Sequence, residues 1–251
     1  MTGPLLSLTG VSRSYLRGRH ELRVLTDASL QVSAGEIVAV QGQRGAGKTT
    51  LLKIAAGMEL PDCGQVSFDG WDLTRLSDAQ LSRLLGEQIG WVHNGGPESK
   101  VRVLDYVALP LLISLGDRAA YSRATQALER AGAADCARQS WETLSDGERG
   151  LVGIAHAIVR SPRLLLIDDL TMILGIRETD ALMGLLRAIA SESAIGVLMT
   201  VSDAAAAMRS DRIFSLAGGR LSGPPTGLPA EPDPPGAKGD VIDLSSRERL
   251  A

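Results

Sequence analysis

Apolar and polar positions change period several times along the chain, and each change marks an expected element. Leu5 to Val11 is an apolar run, and Leu30 to Val32 leads into the turn Ser33-Ala34-Gly35, so residues 1–40 read as short strands and turns. Ile37-Val38-Ala39-Val40 is continuously apolar and β-branched, the pattern of a strand buried on both faces. A Gly-rich turn follows, and then Thr49 to Ala56 predicts a helix ended by Gly57. Further strands are expected at Gln65–Phe68, Ile89–Val92, Leu164–Ile167, Ile195–Met199 and Arg212–Phe214. Between Val92 and Leu164 the pattern is helical. Ala119 to Arg130 is Ala-rich, and Leu151, Ile154, Ala155, Ile158 and Val159 recur on one helix face. Strand, Gly-rich loop and helix open a parallel α/β unit, into which this helical stretch reads as an insertion.

Composition narrows the classes. With 44% hydrophobic but only 3% aromatic residues among 251, the core must be built from Leu, Ile, Val and Ala. A net charge of -3 argues against a protein whose main task is holding nucleic acid, so no nucleic-acid partner is expected. Cys63 and Cys136 are too few for a disulfide framework, lack metal-ligand spacing, and read as free thiols. Val107 to Leu115 is the most apolar stretch, but Pro110 interrupts it and it falls short of the ~20 residues of a membrane span. Met1-Thr2-Gly3-Pro4 lacks a basic region followed by a long apolar run, so a signal peptide is not expected. After Gly219 the composition shifts, and six of the 11 prolines lie between Pro224 and Pro235. Residues 222–251 are therefore expected to be a Pro-rich tail, disordered or partner-bound.

The chemistry starts at Gly42-Gln43-Arg44-Gly45-Ala46-Gly47-Lys48-Thr49, followed by Thr50. Two glycines, four residues between them, then Lys and Thr form the P-loop pattern. Glycines let successive backbone N–H groups turn toward one anion, and the helix starting there adds its positive dipole end. Lys48 is placed for the β- and γ-phosphates of a nucleotide, and Thr49 for Mg²⁺. Lysine is otherwise scarce, found only at positions 53, 100 and 238. Leu164-Leu165-Leu166-Ile167-Asp168-Asp169 is an apolar strand ending in acids, which puts Asp168 at the carboxyl edge of the sheet where ligands bind. Asp168 is expected to hold Mg²⁺, with Asp169 beside the γ-phosphate.

Leu144-Ser145-Asp146-Gly147-Glu148 resembles the signature sequence of ATP-binding cassette (ABC) proteins, Leu-Ser-Gly-Gly-Gln/Glu. Ser145 and Glu148 also fit a helix capping box, a structural role that needs no ligand. The order of P-loop, signature and acid-tipped strand nevertheless resembles the ABC family over roughly Leu5 to Leu221. Tyr15 is placed like the family's adenine-stacking aromatic residue, and Ile89 to Asn94 like the segment entering its Q-loop. Val103 to Leu112 is similar to the same region in the lipoprotein-release and macrolide-export group. The resemblance implies an α/β fold: a P-loop NTPase core with a RecA-like, mostly parallel sheet, an N-terminal antiparallel β subdomain, and an α-helical subdomain inserted over approximately 95–160. The nucleotide-binding domain would span 1–221. It further implies ATP and Mg²⁺ as cofactors, with Tyr15, the loop from Gly42 to Thr50, Ser145 and Gly147 contacting nucleotide. Thr49, Asp168 and Asn94 would serve the metal.

Its implied partners are membrane-spanning permease subunits and a second cassette, closing head to tail over ATP, with the chain peripheral on the cytoplasmic face of the membrane. The soluble cassette proteins of translation and DNA repair fit less well, since this chain has neither two cassettes nor long coiled-coil insertions.

Against the family pattern, the departures fall on catalytic positions. Asn94 stands for the Q-loop Gln, Asp146 for the first signature Gly, Asp169 for the water-activating Glu, Leu170 for Pro, Gly175 for the D-loop Asp, and Ser202 for the His. Asp169 is one methylene short, and a misplacement of about 1 Å can cost on the order of 10²-fold in rate. Ser202 offers no imidazole to developing charge. Asp146 would bring like charge near the γ-phosphate. The expected protein keeps ATP binding and has impaired hydrolysis, with more activity beside a regular cassette than alone. The alternative expectation is a catalytically weak or inactive ATP-dependent clamp regulating a membrane complex.

Overall fold

A computed structural model describes residues 3–18, 20–93, 95–97 and 100–223. Strands β1 (Leu6–Arg17) and β2 (His20–Val32) form an antiparallel hairpin whose register runs from Leu6 opposite Val32 to Arg17 opposite His20. β3 (Ile37–Gln41) leads through the Gly-rich loop to α1 (Lys48–Ala55). β4 (Cys63–Phe68) pairs antiparallel with β1, and the short β5 (Trp71–Asp72) with β4, completing a four-stranded sheet ordered β2-β1-β4-β5.

After α2 (Asp78–Glu87) and β6 (Ile89–Val92) come three helices, α3 (Val103–Leu115), α4 (Asp117–Arg130) and α5 (Asp146–Ile158). The chain then re-enters the sheet as β7 (Leu164–Asp168), α6 (Ile176–Ser193), β8 (Gly196–Val201), α7 (Ala204–Ala207), β9 (Arg212–Ala217) and β10 (Arg220–Ser222). The second sheet has the order β10-β9-β3-β8-β7-β6, parallel throughout except for the β10 edge. This is the expected α/β class, with its antiparallel β sheet and its helices between β6 and β7.

Two apolar clusters flank the second sheet, and alternate residues of each central strand feed opposite ones. Val38, Val40, Leu164, Leu166 and Leu198 face the cluster shared with β1, β2 and α1. Ile37, Ala39, Leu165, Ile167, Val197 and Met199 face the cluster built with the later helices. Double burial explains why these strands are apolar without interruption.

The structure departs from the sequence reading at several points. Leu6–Arg17 and His20–Val32 are two long strands rather than several short ones. Register shifts between Leu8 and Ser14 mark bulges, which break the period-two pattern and hide the strand from a reading of alternation. The α2 helix, unexpected from periodicity, buries none of its residues fully and is set by a capping box between Ser77 and Gln80. Trp71 is 63% exposed, whereas Trp141 is buried with Tyr106 edge-on to it at 5.2 Å. His156 stacks on Tyr106 at 4.3 Å; its burial, with Arg160 and His93 nearby, lowers its pKa to about 4. The expected tail beyond residue 223 lies outside the described residues.

One bulge depends on a missing side chain. Gly64 of β4 has φ +92, and a Cβ there would sit 2.5 Å from the Gly10 carbonyl oxygen on β1. Gly70 has a similar φ of +82 but open space around it. Gly70→Ala is expected to cost about 1 kcal/mol, the strain of a left-handed residue. Gly64→Ala should cost about 1–3 kcal/mol more, because backbone must move. Urea denaturation of the two variants measures the difference, and equal losses would mean the close approach is harmless.

Candidate functional site

The end of β3 and the start of α1 shape the loop. A Cβ on Gly47, the helix N-cap at φ 105, would lie 2.7 Å from Val24 Cγ1 and 2.8 Å from the Val24 carbonyl oxygen. A Cβ on Gly42 would lie 2.8 Å from the Leu216 carbonyl oxygen. The two glycines that define the P-loop pattern are thus also required by β2 and β9 pressing against the loop.

Inside the turn lies Lys48, only 6% exposed. Its Nζ donates to the carbonyl oxygens of Gly42 at 2.7 Å and Gln43 at 3.3 Å and to Ser202 Oγ at 2.9 Å, and it pairs with Asp169 Oδ2 at 3.2 Å. Ser202 Oγ in turn donates to Asp169 Oδ2 at 2.6 Å. Lysine, serine and aspartate close a triangle at the tips of α1, β8 and β7. Thr49 Oγ1 donates to Asp168 Oδ2 at 2.7 Å, and Thr200 Oγ1 to Asp168 Oδ1 at 2.8 Å.

A cleft of about 640 Å³ runs past these groups, lined among others by Tyr15, Arg44, Gly45, Thr50, His93 and Asp169. Gly47, Lys48, Thr49 and Asp168 also line it, so one hollow unites most of the expected binding residues. Gln43 and Ala46 instead line a neighbouring hollow that also borders Arg44, Gly45 and Ser202. At the far end Tyr15 is braced: its hydroxyl donates to Glu59 Oε1 and lies 3.4 Å from Thr50 Oγ1. The Arg13 guanidinium sits 4.9 Å from the ring centroid and is held by Glu59 at 2.8 Å and Asp62 at 2.7 Å. The Ser14 amide and Arg13 hold the Asp62 carboxyl below the usual carboxylate range. His93 keeps its Nδ1 occupied by the Gly95 N–H at 2.8 Å.

Two expected site residues stand apart from this cleft. Ser145 caps α5, its hydroxyl donating to Glu148 Oε2 at 2.8 Å and accepting from the Glu148 amide at 3.3 Å. The capping box is therefore real, and its donors hold the Glu148 carboxyl below its ordinary pKa. A Cβ on Gly147 would lie 3.1 Å from Glu178 Oε1, whose carboxylate also accepts the Gly175 N–H at 2.8 Å. Signature and D-loop positions so meet at the start of α6. Asp146 pairs with Arg149 at 3.4 Å on the surface. Asn94 lies outside the described residues.

Chemically, the loop and α1 offer backbone N–H groups, a helix N-terminus and one ammonium, the equipment for a phosphate chain. Thr49 and Asp168 bring a hydroxyl and a carboxylate oxygen together. Among the described residues no group of three or more His, Cys, Asp or Glu is arranged to hold a metal. A sparse all-oxygen set suits Mg²⁺, which keeps waters and leans on substrate phosphates. Thr200, Arg13 and Glu59 are contributors that motif reading misses. Thr200 leaves a faint trace, as a lone hydroxyl in an otherwise apolar strand two residues before Ser202.

Comparison with known proteins agrees with this geometry. A model of the ABC transporter family matches residues 25–172. The chain is 34% identical over 220 residues to the lipoprotein-releasing system ATP-binding protein LolD of Chromohalobacter salexigens, covering 87% of this chain and 93% of that one. It is 35% identical over 236 residues to the macrolide export ATP-binding/permease protein MacB 1/2 of Paracoccus denitrificans, covering 93% of this chain but only 35% of that protein. A solved dimeric structure of the bacterial ABC transporter cassette MJ0796 superposes with a TM-score of 0.79 at 27% identity, covering 86% of this chain and 96% of that one. The protein described here belongs to the ABC transporter family.

Proposed function

We propose that the chain is the ATP-binding subunit of an ABC transporter, binding ATP in the cleft between Tyr15 and Asp168 and hydrolysing it slowly. The observation that carries this reading is the convergence of Lys48, Thr49 and Asp168 on one hollow that begins at a braced aromatic ring. Tyr15 would stack on adenine, the loop from Gly42 to Thr50 would wrap the phosphates, and Lys48 would turn from Asp169 to the β- and γ-phosphates. Thr49 and Asp168 would hold Mg²⁺, with Asn94 as a further ligand; the ion supplies neutralisation of phosphate charge. A solved structure of the MJ0796 cassette, 26% identical, is described as a post-hydrolysis state bound to ADP and Pi.

Impaired hydrolysis follows from the closed triangle at the catalytic end. Asp169 is shorter than glutamate, and its carboxylate is already engaged by Lys48 and Ser202. Ser202 gives a hydroxyl where an imidazole would stabilise charge. In a dimer, Ser145 and Gly147 would face the partner's nucleotide. Two copies of this chain would repeat the same defects in both sites. Pairing with a regular cassette would leave one site with ordinary catalytic residues, and that mixed dimer is the favoured assembly.

A membrane-spanning permease is the proposed second partner. Among the described residues no helix is long and apolar enough to cross a membrane. Helix α3 leaves Leu109 61% and Ile113 101% exposed, four residues apart and so on one face. That face lies between the Q-loop and signature positions, the region that in ABC transporters contacts the membrane subunit. The chain would then sit on the cytoplasmic side of the membrane, at its periphery.

Two experiments test these readings. Asp169→Glu should raise single-turnover ATP hydrolysis up to about 10²-fold in whichever dimer forms, as reach is restored, while ATP affinity stays within about twofold. Equal rates would move the defect to Ser202, Gly175 or the signature, and a wild-type chain that turns over at ordinary transporter rates alone would remove the need for a regular partner. Ile113→Asp should abolish copurification of the permease from solubilised membranes while ATP binding persists; unchanged copurification would rule out this face of α3.

A further inference from the structure

Asp168 and Asp169 emerge together from β7, and the neighbouring strand decides how each is aimed. β7 and β8 run parallel with Asp168 opposite Thr200. Thr200 is completely buried, in a strand that is otherwise Gly, Val, Leu and Met. A buried hydroxyl left without partners costs about 1–3 kcal/mol, so its position in such a strand calls for a use.

Both of its bonds go to the acids. Thr200 Oγ1 donates to Asp168 Oδ1 at 2.8 Å and accepts from the Asp169 amide at 3.0 Å, and that amide also reaches the Thr200 carbonyl oxygen at 3.2 Å. With Oδ1 held, Asp168 turns Oδ2 to the Thr49 hydroxyl. With its amide held, Asp169 keeps a left-handed backbone, φ 48 and ψ 37, from which its carboxylate reaches Lys48 and Ser202. Strand periodicity puts Ser202 on the same side of the chain as Thr200. The edge of β8 thus supplies one hydroxyl to each acid.

We propose that Thr200 is a positioning residue for the metal end of the site, its single hydroxyl orienting the Asp168 carboxylate that holds the divalent cation of bound ATP. The proposal rests on reading the cleft as a Mg²⁺–ATP site. Removal of an outer partner that orients a metal ligand typically weakens metal affinity about 10–100-fold.

Thr200→Val keeps the branched shape and removes the hydroxyl, and Thr200→Ser keeps the hydroxyl. Full-length parent and variants are titrated with a fluorescent ATP analogue in EDTA and in excess Mg²⁺, and with Mn²⁺ by electron paramagnetic resonance at fixed ATP. Thr200→Val should bind nucleotide like the parent in EDTA, which also reports that it is folded, and should lose most of the gain brought by Mg²⁺. Its Mn²⁺ affinity should fall at least about tenfold, and Thr200→Ser should restore it. Equal weakening with and without metal, or an unaltered metal dependence, would overturn the positioning role. A parent chain that binds no nucleotide in either condition would overturn the reading of the cleft itself.

Discussion

Everything at the site depends on one buried cation. An ammonium withdrawn from water is tolerated only when oxygens surround it, because an unpaired buried charge costs several kcal/mol. Lys48 finds two such oxygens in the carbonyls of its own loop and two more in Ser202 and Asp169. The first pair demands the Gly-rich turn. The second demands that β3, β8 and β7 lie side by side in parallel, so that their carboxyl ends open on the same place. The sheet order therefore serves the lysine as much as it serves the core.

In the proposed function the same interaction separates binding from turnover. A phosphate chain presents the oxygens that Lys48 now receives from side chains, so exchange of one set for the other conserves the pairing of the charge. Hydrolysis needs more: a carboxylate free to orient water and a group to stabilise developing charge. In this chain the candidate carboxylate is a short Asp169 tied to Ser202, and the position of the imidazole is that hydroxyl. Asp169 and Ser202 are thus coupled, each engaging the other and Lys48. Thr200 extends this logic to the neighbouring acid, where one hydroxyl bonds both the Asp168 carboxylate and the Asp169 amide.

Much of this was legible in the residues, and the illegible parts have physical reasons. β3 and β7 stood out because burial on both faces leaves no polar position, and the loop because only glycine fits beneath Val24 and Leu216. The β1–β2 hairpin did not, since bulges shift its phase, and α2 did not, since it buries no residue fully. Thr200 acquires meaning only from the register that sets it opposite Asp168. The Tyr15 brace joins residues 44 positions apart in sequence, which no local pattern encodes. Ser145 shows the reverse case, where a motif residue has a structural role as a helix cap, legible in the sequence and present in the fold.

The most direct test of the account is an equilibrium titration of the purified chain with ATP, with phosphate release followed in the same samples and Lys48→Ala alongside. The wild-type chain should bind ATP saturably and release phosphate far more slowly than an ordinary transporter cassette. Loss of the charged contact should weaken binding by about 1.5–3 kcal/mol, on the order of 10- to 100-fold. Absence of saturable binding, affinity indifferent to Lys48, or phosphate release at ordinary transporter rates would contradict the separation of binding from hydrolysis.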